Sequence, residues 1–203
     1  MPILKIQLHK LTIIIFSLLF FSYSVFAHPH TFMKYKINYL FDAEGLSGFK
    51  VTWEFDDMFS MVMLQDYDIN KDRTFSKDET ALIKKEAFDH LIEYNYFSKI
   101  LINGQIFNVN VINDFSIKLA NEVIVYKFTI PCHVKALSSP KKIEMFAYDP
   151  SYFIDVSMQD QGISYSNHDN FEINHSIKNI PGYAYYHKQI IPNVSVLNFR
   201  KKS

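Results

Sequence analysis

Two stretches near the start of the chain alternate apolar and polar residues with a period of two, the pattern of an extended strand with one wet face. Met33, Tyr35, Ile37, Tyr39 and Phe41 interleave with Lys34, Lys36, Asn38 and Leu40, and Phe49, Val51, Trp53 and Phe55 with Lys50, Thr52 and Glu54. The turn Asp42-Ala43-Glu44-Gly45 between them predicts an antiparallel hairpin. Asp57 is placed to cap a short helix reaching Gln65, and the run Met58 to Leu64 is apolar on nearly every side, which predicts burial. A longer helix is expected over residues 77–97, with Ile83, Ala87, Leu91 and Tyr94 as its stripe. Strand patterns return in 100–105 with an Asn103-Gly104 turn, 106–111, 116–131, 142–148 and 152–158. Beyond Gln159 the signals weaken, and residues 198–203 read as a frayed end. Sheet, two helices, sheet is the order of an α+β fold: an antiparallel sheet with an EF-hand-like helix-loop-helix insertion packed on one face.

Residues 1–27 read as a cleavable export signal. Lys5 and Lys10 form its basic part, Leu11 to Phe21 its apolar part, and Val25-Phe26-Ala27 its small-residue cleavage site. The expectation is a periplasmic protein cut after Ala27, with one domain over 28–203 and no mature transmembrane segment. Removing two lysines from 21 basic residues leaves 19 against 21 acidic ones, a net charge of −2. That balance speaks against nucleic acid as a partner. Cys132 is the single cysteine, so no internal disulfide forms; a half-buried structural thiol is the favoured reading of it over a soft metal ligand.

Between the two expected helices, Asp68, Asn70, Asp72, Thr74, Ser76 and Glu79 fall at positions 1, 3, 5, 7, 9 and 12 of a twelve-residue loop. Calcium takes six to eight oxygens, and this spacing delivers carboxylates, an amide, a carbonyl and a water-bridged hydroxyl around one point. Position 6 is Arg73, where glycine normally permits positive φ, so the turn is expected to carry about 1 kcal/mol of backbone strain.

A second candidate lies at the expected new terminus, His28-Pro29-His30. A free α-amine, the His28 imidazole and the His30 imidazole can grip one divalent transition metal, zinc, nickel, cobalt or copper. Pro29 has no N–H to deprotonate, which blocks a square-planar site built on successive amides. His133, His168, His175 and His187 are candidates for a further ligand, with His168 preferred because Asp169 follows it in a polar loop.

The His28-Pro29-His30 start, the Trp53-Glu54-Phe55-Asp56 strand end, the acidic loop 68–79 and Ala147-Tyr148-Asp149-Pro150-Ser151-Tyr152-Phe153 together resemble the domain of unknown function 1007 family. The resemblance spans essentially the whole mature chain. It implies an exported bacterial protein, the periplasmic component of an ABC-type transport system, often encoded beside a nickel/cobalt-type permease. Arg73 stands where the family frequently has glycine. Asp149-Pro150 reads equally as a plain turn between strands.

The expected function is therefore a non-enzymatic periplasmic metal-binding accessory protein partnered with an inner-membrane metal permease or transporter. The alternative is a calcium-stabilised interaction module. No Ser/His/Asp or Cys/His pattern supports a hydrolase, and a copper oxidoreductase would need redox turnover to be demonstrated.

Overall fold

The computed structural model describes residues 30–202. The expected hairpin is present: β1 (Thr31–Phe41) pairs antiparallel with β2 (Gly45–Phe55), setting Tyr35 opposite Trp53 and Tyr39 opposite Phe49. All five alternating apolar residues of β1 are buried. Gly45 is required where β2 begins, because a Cβ there would lie 2.1 Å from the Val134 carbonyl oxygen.

The remaining elements are α1 (Asp57–Tyr67), α2 (Lys77–Ile83), β3 (Ser98–Ile102), β4 (Gln105–Phe107), β5 (Asn113–Ala120), β6 (Val123–Lys135), β7 (Lys141–Ala147), β8 (Ile154–Ser166), β9 (Phe171–Asn179) and β10 (Asn193–Lys201). They build two five-stranded sheets, ordered β5-β6-β2-β1-β8 and β4-β3-β7-β10-β9. The two pack on one shared core. Phe41 meets Phe171 and Phe199 at 5.1 and 5.2 Å between ring centres, and the Tyr39 hydroxyl lies 2.6 Å from Ser195 Oγ.

This architecture overturns the α+β expectation. The fold is mostly strand, in two packed sheets, with two short α-helices among the described residues and no EF-hand-like helix-loop-helix pair. The long helix expected over 77–97 stops at Ile83, and the chain widens into a π turn (Lys84–Phe88) and then tightens into 3-10 turns (Asp89–Phe97). The π turn adds a residue to the helical register and brings Phe88, not Ala87, inward. Phe88 then packs on Trp53, Phe115 and Phe128 at 5.9, 4.3 and 5.1 Å, while Tyr94 is left exposed. Nor are the sheets wholly antiparallel, since β8 lies parallel to β1.

Two further expectations are corrected. The carboxy-terminal segment is not frayed: β10 sits between β7 and β9 with Val194, Leu197 and Phe199 buried. Helix α1 is not buried all round: Ser60 and Met63 are buried, Phe59 and Tyr67 pack half-buried on the core, and Met58, Met61 and Val62 are exposed. Ser60 Oγ accepts from the Ile124 amide at 2.8 Å, and Met63 Sδ accepts from the Tyr126 hydroxyl at 3.8 Å, which fixes that face on β6. No helix among the described residues is long and apolar enough to cross a membrane.

Candidate functional site

His30, Asp56 and the 147–153 segment, each part of a sequence mark, meet at one end of the sandwich, where β1 begins. Asp149 is buried in a turn and its carboxylate accepts from the Ser151 amide and hydroxyl at 2.9 and 2.7 Å and from the Ile154 amide at 2.9 Å. That knot delivers Phe153 to the start of β1: its carbonyl accepts from the His30 amide at 3.0 Å, and the two rings lie 5.0 Å apart. Two residues on from His30, Phe32 is bonded in both directions to Asp56, which also caps α1 by accepting from the Phe59 amide at 2.8 Å. His30 is thus an exposed side chain on a pinned backbone.

The same end carries residues that the sequence reading left as weak signal. Tyr186, His187 and Lys188 hold φ of 45°, 57° and 63°, three consecutive left-handed residues, and Tyr152 holds 56°. For residues with a Cβ this conformation costs about 1–2 kcal/mol each, and such strain concentrates at functional sites. The two strained segments touch, with the Tyr152 and Tyr186 rings 5.1 Å apart and Tyr148 packed on Tyr185 at 5.3 Å. Burial, followed by the Asp155 carboxylate, pushes the Tyr185 phenol well above its ordinary pKa, so it stays a neutral hydrogen-bonding group. Clustered tyrosines after Pro181-Gly182 were the available signal.

The predicted ligands are dispersed. His28 and the export signal lie outside the described residues. His168 follows the far end of the β1–β8 ladder, which runs from Thr31 beside Ile154 to Leu40 beside Ser166. At about 3.3 Å per residue that separates it from His30 by roughly 30 Å. His133 lies 3.3 Å from Glu44, and His175 Nε2 lies 3.0 Å from Ser195 Oγ. His187, beside Tyr186, is the histidine that shares the His30 end. Cys132 is half-buried, with Sγ 3.6 Å from the Leu46 carbonyl and its thiol pushed up to about 12 by burial.

All six predicted calcium-loop residues fall in or beside the segment between α1 and α2. Asp68 accepts from the Asp72 and Arg73 amides at 3.1 and 2.9 Å, and Asp72 from the Thr74 amide at 2.8 Å. Glu79 accepts from the Ile69 and Ser76 amides, both at 2.8 Å, and in return the Glu79 amide donates to the Ser76 hydroxyl oxygen, closing a capping box. Arg73 takes the predicted positive φ, 63°, and its guanidinium pairs with Glu122. The bonds satisfy the loop internally, and the donor types suit a hard cation. Among the described residues no group of three or more His, Cys, Asp or Glu is arranged to hold a metal ion.

The family model for a protein of unknown function (DUF1007) matches residues 13–179. An uncharacterised protein of Haemophilus influenzae is 27% identical over 143 residues, which cover 67% of this chain and 65% of that protein. The chain thus spans about two thirds of the length of that relative. An uncharacterised 15.5 kDa protein of the trpE 3′ region of Spirochaeta aurantia is 23% identical over 138 residues, covering 68% of this chain and 98% of its own.

Proposed function

The chain belongs to the family of proteins of unknown function DUF1007, and from that premise we propose that it is an exported, periplasmic accessory protein that binds a divalent transition metal at its amino-terminal tip for an inner-membrane transporter. The observation that carries this reading is the pinning of His30. A histidine two residues into a free terminus would ordinarily sweep a wide volume, whereas here the Phe153 carbonyl and ring fix where its imidazole starts. Such fixing lowers the ordering cost of closing a chelate. Pro29 stiffens the link back to His28, whose amine and imidazole are the other proposed donors. The further donor on this reading is His187, at the same end, and no longer His168. Neutral imidazoles and an amine suit zinc, nickel, cobalt or copper, and the chain's own part is to bind and present the ion.

Metal analysis of protein carrying an authentic His28 terminus tests this. A H28A/H30A variant should lose transition-metal binding with its fold intact, H187A should weaken it, and H168A should leave it unchanged. Undiminished binding in the double variant would overturn the proposal.

A second reading, a calcium-stiffened interaction module, is favoured by Arg73, whose left-handed backbone is the conformation such a loop demands at that position. If calcium binds, millimolar calcium raises the melting temperature, because a ligand of the native state alone must stabilise it. An unchanged melting temperature retires this reading.

A further inference from the structure

Helix α1 leaves two thioethers unexplained. Met58 and Met61 are 59% and 64% exposed, although methionine is ordinarily a filler of cores, and the helix is already anchored through its opposite face by Ser60 and Met63. Three residues apart on a helix, their Cβ atoms are about 5–6 Å from each other, so two flexible side chains can bring both sulfurs to one ion. The start of this helix is joined to the start of β1 by the paired bonds between Asp56 and Phe32. Met58 follows Asp56 by two residues and His30 precedes Phe32 by two, so the exposed histidine and the start of the sulfur pair flank the same junction.

We propose that Met58 and Met61, completed by the His30 imidazole, form a binding site for monovalent copper. Thioethers are soft donors that favour Cu(I) over zinc, nickel or calcium, and one nitrogen with two sulfurs gives a low-coordinate, neutral site suited to a monovalent ion. Binding is simple ligand exchange without a change of oxidation state. The inference uses the preceding reading only for the position of His30; the sulfur pair stands on its own exposure. Val62, 50% exposed on the same side, makes the surface apolar, so a docking partner is the competing explanation.

The test is a competition titration of the mature protein with Cu(I) against a chromogenic chelator under reducing, anaerobic conditions, with Ag(I) as a second probe. In M58L/M61L, which keeps the apolar surface and removes only the sulfur, Cu(I) and Ag(I) affinity should fall at least tenfold while zinc binding is unchanged. H30A should weaken both copper and zinc binding. X-ray absorption of the copper-loaded protein should show sulfur bonded to copper. Full Cu(I) affinity in M58L/M61L, or a copper bonded to nitrogen and oxygen alone, would overturn the proposal. Loss of Cu(I) binding in M58L/M61L alongside a wild-type protein that never takes zinc would uphold this site and sink the divalent one.

Discussion

Asp56 holds Phe32 through both of its backbone groups: the Asp56 amide donates to the Phe32 carbonyl at 3.0 Å, and the Phe32 amide donates to an Asp56 carboxylate oxygen. The other oxygen of that carboxylate accepts from the Phe59 amide and caps α1. A single side chain therefore joins the first strand to the first helix. Through β1 it also sets His30 relative to Met58.

Removing that carboxylate should destabilise the protein measurably. D56A loses a helix cap of about 1 kcal/mol and a charge-assisted strand bond of similar size, so urea unfolding should show a loss of about 2 kcal/mol. D56N keeps the accepting oxygen for the cap and should lose about half as much. Equal losses in the two variants would show that the cap contributes little.

Glu79 ties the 68–79 loop to its own charge state. The bond from the Ser76 amide, with further bonds from the Ser76 hydroxyl and the Ile69 amide, holds its carboxyl below the usual carboxylate range. A depressed folded pKa means the stabilisation is complete above the unfolded value and is lost as pH falls through the folded one. Melting temperature should therefore drop on acidification below the ordinary carboxylate pKa. In E79Q the midpoint should be lower at neutral pH and this acid limb shallower; identical pH profiles would contradict the assignment.

The hydrophobic alternation of 33–55 was enough to place β1, β2 and their turn, because a one-residue slip there would turn Tyr35, Tyr39 and Trp53 out to water. The Asn103-Gly104 turn was legible for a similar reason, as both residues hold positive φ, 51° and 81°. Pairing between distant segments was not. Nothing local in residues 154–166 announces a parallel partner in β1, and the run Val194 to Leu197, Ser195 included, is buried on both faces, so it lacks the alternation that marks a strand with one wet side. The helix over 77–97 failed because its stripe was a good local pattern that the tertiary demand for Phe88 under Trp53 overrode. Of the site, His30 could be named from sequence, but its convergence with Phe153, Tyr186 and His187 is set by the sandwich topology.

His175 supplies a second pH dependence on the acid side of neutrality, at higher pH than that of the carboxylates. It is half-buried, faces Ser195 Oγ at 3.0 Å and the Tyr165 ring at 6.1 Å, and desolvation lowers its pKa below the ordinary imidazole value. Its neutral form is thus favoured by folding. Stability should be full above the ordinary imidazole value and decline as pH falls through it towards the depressed one. H175Q should flatten the stability profile between about pH 7 and 5. A variant that retains the wild-type slope would place the titrating group elsewhere.

Trp53 gives the sharpest test of the core, because its burial and its polarity pull in opposite directions. The ring is fully buried against Phe128, Phe88 and Phe97 at 4.7, 5.9 and 6.0 Å, yet its indole N–H has no hydrogen-bond acceptor among the described residues. W53A should cost about 4 kcal/mol, as expected for emptying an aromatic site. W53F leaves a smaller void and removes an unsatisfied donor worth about 1–3 kcal/mol, so the two effects offset and the loss should be under about 2 kcal/mol. Phe128 and Phe55 stand near-perpendicular to the indole, at 79° and 89°, and an aromatic face is a weak acceptor for such a donor. If W53F proves as damaging as W53A in chemical denaturation, the N–H to ring contact is stronger than this account allows, and the indole is held for its polarity as well as its size.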